Sequence, residues 1–143
     1  MYNTSMKLSE LLIELHIHYL SPIRQVGTLN NITTSQLLCI ISIPYNGISQ
    51  ADLARKLSLD ISTLSRNLEK LVNKNIIIKQ VSINDKRSSI IILTDEGKAI
   101  YEKLTTELEQ NFNDIYNNLE FKDIEVLTEA IQKINWELMK RAL

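Results

Sequence analysis

Residues 49–94, SQADLARKLSLDISTLSRNLEKLVNKNIIIKQVSINDKRSSIIILT, decide the fold. Ser49 is a helix N-cap type, and the helix it opens, Gln50–Leu57, has Ala51, Leu53, Ala54 and Leu57 as its apolar side. Asp60 caps a second short helix that buries Ile61, Leu64, Leu68, Leu71 and Val72. Asn75 is a residue type that takes the left-handed conformation and so ends a helix. Ile76–Ser82 and Ser88–Leu93 are rich in β-branched residues and bracket the turn signal Asn84-Asp85, which predicts a hairpin. Two short amphipathic helices followed by a ribbon form the order of a winged helix-turn-helix.

The flanks are helical. Leu8, Leu11, Leu12, Leu15 and Tyr19 predict a helix over residues 6–20, and Pro22 is expected to kink or end it near Ser21. Thr33 and Gln36 have capping-box spacing and open a helix from Leu37 to about Ile43, stopped by Pro44; Tyr45-Asn46-Gly47 is a turn. Thr94 caps a long helix that repeats Ile100, Leu104, Leu108, Phe112, Ile115 and Leu119. A last helix from about Lys122 repeats Ile124, Leu127, Ile131, Ile134 and Leu138, the seam of a helix lying along another helix. These stripes exceed what the small middle part can cover. Either they close into an antiparallel bundle within one chain, or they interlock with a second copy. The two-fold symmetry of most helix-turn-helix sites favours the dimer.

The expected fold class is therefore mainly α with a small two-stranded β-wing, a winged helix-turn-helix with N- and C-terminal dimerisation helices. In a single domain over 1–143, residues 32–94 form the DNA-binding part, and 5–28 and 95–143 the helical dimerisation part. A chain of 143 residues with 44% hydrophobic and 23% charged residues suits one globular domain, and three Gly and two Pro argue against disorder. The first residues lead into an amphipathic helix bearing Glu10 and Glu14, unlike a signal peptide, so a cytoplasmic location is expected. The one cysteine, Cys39, excludes an intrachain disulfide.

Net charge is −1, but it is unevenly spread. Residues 49–93 set Arg55, Lys56, Arg66, Lys70, Lys74, Lys79, Lys86 and Arg87 against Asp52, Asp60, Glu69 and Asp85. Residues 94–143 are acidic on balance. The basic excess thus falls on the segment whose shape suits duplex DNA.

Within that segment, Arg66 lies nearly opposite the apolar stripe of its helix, flanked by Ser62, Thr63, Lys70 and Asn73. Short hydroxyl side chains in the first turn let a helix sit deep in a groove, and an arginine reaches guanine or a phosphate. The plain alternative is an exposed polar helix face. Glu69 on the same side is contrary, being repelled by phosphate unless it pairs with Lys70, Asn73 or a cytosine amino group. Asp85, Lys86 and Arg87 at the hairpin tip make the ribbon a candidate wing, with Arg87 for the minor groove and Asp85 as a brace for Arg87 or Arg66.

Ala51-Asp52-Leu53-Ala54-Arg55-Lys56-Leu57, Asp60 to Leu71, Asp85-Lys86-Arg87 and Leu93-Thr94-Asp95-Glu96-Gly97 resemble the MarR family of bacterial transcription regulators. The Asp-x-Arg wing followed by Leu-Thr-x-x-Gly is the most specific part of the pattern. The resemblance implies a dimeric winged helix-turn-helix that binds pseudo-palindromic DNA, with the terminal helices as dimer interface. Many members are repressors released by small, often aromatic, ligands, and some respond to oxidants. By position, the resemblance makes Ser62, Thr63, Ser65 and Arg66 recognition-helix contacts and Arg87 the wing contact. Two departures stand out: Asn75 occupies a position that is commonly Gly in the family, and Pro22 interrupts the first helix late.

Other chemistry is thin. Cys39 sits amid Leu37, Leu38, Ile40 and Ile41, which reads as a small buried hydrophobe more than as an oxidant sensor. His16 and His18 point to nearly opposite helix faces and cannot share a metal; no metal or cofactor is expected. His16 and Tyr19 are candidates to line a ligand pocket beside the dimer interface. No phosphate loop, nucleophile motif or metal-ligand spacing suggests an enzyme. The expected function is a sequence-specific double-stranded DNA-binding regulator, a homodimeric repressor of this type with a small aromatic ligand. The alternatives are a winged-helix protein-interaction module without DNA binding and a helper domain of an enzyme.

Overall fold

The computed structural model describes residues 5–81 and 89–141. These form α1 (Leu8–Leu29), α2 (Thr34–Ser42), β1 (Ile48–Ser49), α3 (Gln50–Leu57), α4 (Ile61–Asn73), β2 (Ile77–Val81), β3 (Ser89–Leu93), α5 (Asp95–Tyr116) and α6 (Phe121–Arg141). The mainly helical class with a small β element is as the sequence predicts, and the sheet has one strand more. β1 pairs antiparallel with β3, opposite β2, giving the order β1-β3-β2. A strand of two residues, Ile48 and the capping Ser49, is too short for any alternation to be read.

The expected N-caps form. The Thr33 and Gln36 side chains bond each other's backbone N–H groups, the Ser49 side chain accepts from Asp52 N, and that of Asp60 from Thr63 N. The core sits between α2, α3, α4, the sheet and the start of α5. Leu37, Ile40, Leu53, Leu64, Leu68, Leu71, Ile91 and Leu104 are completely buried in it. Burial of each such side chain contributes roughly 1.5–3 kcal/mol.

Pro22 does not end the first helix. α1 continues through it to Leu29. An interior proline costs about 3 kcal/mol through its lost hydrogen bond and steric clash. The turns beyond it bury Ile23 and Val26 against the core, and two side chains at roughly 1.5–3 kcal/mol each offset that cost. Three residues expected inside are exposed instead: Ala51, Ile61 and Val72. Ile61 opens its helix and Val72 flanks the stripe, so both fall at the rim of the face that Leu64, Leu68 and Leu71 bury. The apolar repeat assigned to α5 also outlasts the helix, which stops at Tyr116 and leaves Leu119 in the connection to α6.

One joint ties α4 to α5. Asn75 takes the left-handed conformation with φ 57°, and Ile76 N donates back to Leu71 O at 3.0 Å. The Thr94 hydroxyl then donates to Asn75 O at 2.6 Å while accepting from Gly97 N at 2.9 Å. A Cβ on Gly97 would stand 1.9 Å from Ile76 O, so only glycine lets α5 start so close to the end of α4. That contact gives the Leu-Thr-x-x-Gly pattern its physical meaning.

The chain ends differ from this core. α6 buries none of its residues, and Leu8, Leu11, Leu12, Ile13, Leu15 and Ile17 of α1 are exposed. The antiparallel bundle within one chain does not form among the described residues. None of their helices is long and apolar enough to cross a membrane.

Candidate nucleic-acid interface

α4 is fixed on three sides. Leu64, Leu68 and Leu71 lock its inner face into the core. On one flank the Gln50 amide of α3 donates to Ser65 Oγ at 2.8 Å; on the other the Asn67 amide donates to Ser35 Oγ of α2 at 2.8 Å. Neither tie was read from the sequence. Their signal was the placement of Ser65 and Asn67 between the apolar stripe and the outer face.

The basic residues divide sharply. Arg55 is spent on Asp52 at 3.0 Å, Lys56 on Ser42 O at 3.0 Å, and Lys74 on Asn31 O at 2.7 Å. The side chains of Arg66 and Lys70 are exposed on the outer face of α4 and make no hydrogen bond or ion pair with another described residue. The same holds for Lys79 on β2, which lines a shallow open cleft with Glu69, Val72 and Asn73. Sequence reasoning had not placed Lys79 beside Glu69, because the register of β2 against α4 is a tertiary fact.

At the head of α4 the two hydroxyls are occupied. Ser62 donates to Asp60 Oδ1, and Thr63 donates to Asp60 Oδ2 at 2.6 Å. These bonds, with that from Thr63 N at 2.8 Å, hold the Asp60 carboxyl well below the usual carboxylate range. An aspartate with hydroxyls two and three residues on is the signal that could have revealed this. The predicted wing contacts Lys86 and Arg87, and the brace Asp85, lie outside the described residues; the ribbon is described up to the pair Val81 and Ser89.

Elsewhere, Tyr19 stacks on Phe112 of α5 with ring centroids 4.4 Å apart, while His16 is exposed one turn earlier on α1. Cys39 is completely buried, and burial pushes its thiol up to about 11. That is the environment of a packing residue rather than of a reactive thiolate.

Residues 32–89 match the MarR family model. The multiple antibiotic resistance protein MarR of Salmonella typhimurium is 31% identical over 119 residues, covering 82% of this chain and 78% of that protein. The chain belongs to the MarR family. Members of that family are transcriptional regulators, not enzymes. The crystal structure of apo MarR from E. coli superposes with a TM-score of 0.82 at 25% identity, covering 92% of this chain and 98% of that one. NadR, solved in complex with 4-hydroxyphenylacetate, has the same fold: TM-score 0.77 at 21% identity, covering 94% of this chain and 96% of that one.

Proposed function

We propose that this MarR-family chain is a homodimeric repressor that binds a pseudo-palindromic duplex through α4. Residues 32–94 would form the DNA-binding part, and 5–28 with 95–143 the dimerisation part. The observation that carries this reading is the asymmetry of α4. Its inner face is locked by Leu64, Leu68 and Leu71, while Arg66 and Lys70 stand exposed and unbonded on the outer one. An exposed arginine on a rigidly held helix is what major-groove reading requires. Arg66 reads a base or clamps a phosphate, Lys70 contacts the backbone, and Arg87 with Lys86 reaches the adjacent groove from the ribbon, oriented by Asp85. Ser62, Thr63 and Ser65 complete the contact surface.

The unburied apolar sides of α1 and α6 support the dimer, since exposed apolar patches of this extent mark association surfaces. Two protomers would set their α4 helices about 34–36 Å apart, one turn of duplex. The reading includes a cytoplasmic location and release by a small aromatic ligand, with His16 and Tyr19 beside the dimer interface as wall residues. A neighbour of the same fold holding 4-hydroxyphenylacetate supports that ligand class. Selection of bound duplexes from random DNA by the purified protein tests the proposal. A palindromic consensus with half-sites one turn apart is expected. No enrichment, even at low salt, would replace it with the protein-interaction reading.

A further inference from the structure

A serine or threonine hydroxyl has one proton to donate and lone pairs with which to accept. Ser62 spends its proton on Asp60 Oδ1, and Thr63 spends its own on Oδ2 at 2.6 Å. An ionised carboxylate only accepts, so it holds both hydroxyls in this sense and leaves their lone pairs for a ligand. The depressed carboxyl of Asp60 keeps it ionised through ordinary pH. Ser65 has the opposite polarity: its Oγ accepts the Gln50 amide at 2.8 Å and keeps its proton to donate.

We infer that Asp60 is a specificity-determining residue, which takes the hydroxyl protons of Ser62 and Thr63 and so makes the head of α4 select bases that present an amino group. The inference rests on the reading of α4 as a duplex-DNA reader. In the major groove adenine N6 and cytosine N4 donate, whereas guanine offers N7 and O6 and thymine offers O4, all acceptors. Two hydroxyls with only lone pairs to give suit the first pair of bases and leave the second unbonded. The Asp60 charge also disfavours phosphate at this end of the helix, which steers the hydroxyls toward base edges.

Asp60→Asn inverts this polarity at Thr63 alone, with almost no change of shape, while Ser62 still donates to Oδ1. The amide keeps Oδ1 as the cap for Thr63 N, and asparagine caps helices as well as aspartate does. Its Nδ2 donates where Oδ2 accepted, so Thr63 must accept from it and turn its own proton outward.

The experiment selects duplexes from random DNA with the full-length wild type, Asp60→Asn and Thr63→Val. The base facing Thr63 is the one whose preference Thr63→Val abolishes. The wild type is expected to require adenine or cytosine there, and to lose about tenfold in affinity when that base is replaced by an analogue lacking the amino group. Asp60→Asn is expected to prefer guanine or thymine at the same position and to be indifferent to the deletion. A wild-type preference for guanine or thymine, an unchanged Asp60→Asn consensus, or a Thr63→Val consensus identical to wild type overturns the inference and leaves DNA reading intact. Failure of the wild type to enrich any duplex overturns both. Circular dichroism establishes that Asp60→Asn is folded; if it is not, the amino-group deletion on the wild type decides alone, with no loss of affinity overturning the inference.

Discussion

The middle of the chain and its two ends use apolar residues in opposite ways. Leu64, Leu68 and Leu71 of α4 are fully buried within one protomer, whereas the stripe of α6 leaves Leu127, Ile131 and Leu138 exposed. Both stripes have helical spacing, and both would pass as core positions by pattern alone. The difference is that the middle satisfies itself and the ends do not. A hydrophobic stripe states that a face must be covered and is silent on which molecule covers it.

The sharpest way to break this comparison is to charge the ends. Leu127→Glu with Ile131→Glu should abolish self-association, weakening it by about a thousandfold or more, because two carboxylates would enter an apolar contact. Sedimentation should then show monomers with an unchanged helical spectrum. A stable dimer would mean that the α6 stripe is not the association surface. In the middle, Leu68→Ala should cost about 2–5 kcal/mol by denaturant unfolding, the range for a large buried side chain that leaves a cavity. It should leave self-association of the folded fraction unaltered. A cost as small as that of a surface change would show that the middle is not the self-sufficient unit described above.

Smaller effects test the outer face of α4. Arg66→Ala should weaken binding to a selected operator by about 1–3 kcal/mol per half-site and relax the preference at one position. Lys70→Ala should instead lower the salt slope of binding by about 0.9 per protomer and leave the consensus alone. If Arg66→Ala and Arg87→Ala both bind like wild type, the contact assignment fails. The smallest effect belongs to Cys39. Its thiol, raised from 9.0 to about 11 by burial, is protonated at pH 8 in the folded protein. Alkylation there should be slow until the protein is unfolded. The sign of the linkage follows: the protonated thiol supports the fold below about 9, and that support is lost as pH rises toward about 11. Dilute peroxide should leave operator affinity unchanged.

Much of the fold was legible because short-range chemistry decided it. Thr33, Ser49, Asp60 and Thr94 all cap the helices expected of them, and Asn75 turns left-handed where α4 ends. Capping needs only residues three apart, so a sequence carries it entire. What escaped depended on distant partners. Pro22 reads as a kink or a stop, and only the burial of Ile23 and Val26 explains why the helix continues past it. β1 exists only because β3 lies beside it. Ile61 and Val72 are apolar and near the stripe but fall at its rim, where only the tertiary packing decides what is covered. At the candidate site, the exposure of Arg66 and Lys70 could be read from helical phase alone. The orientation of the Ser62 and Thr63 protons could not, since spacing places a hydroxyl without saying which way it donates.

The Thr94 joint has a mechanical consequence. Its hydroxyl fastens the start of α5 to the last carbonyls after α4, and Gly97 removes any cushion between them. The long helix and the short one therefore meet at a fixed joint, and both are anchored in the same core, α4 through Leu64, Leu68 and Leu71 and α5 through Leu104. The bearing of the Arg66 face is thus set relative to the start of α5 by one hydroxyl and one missing side chain.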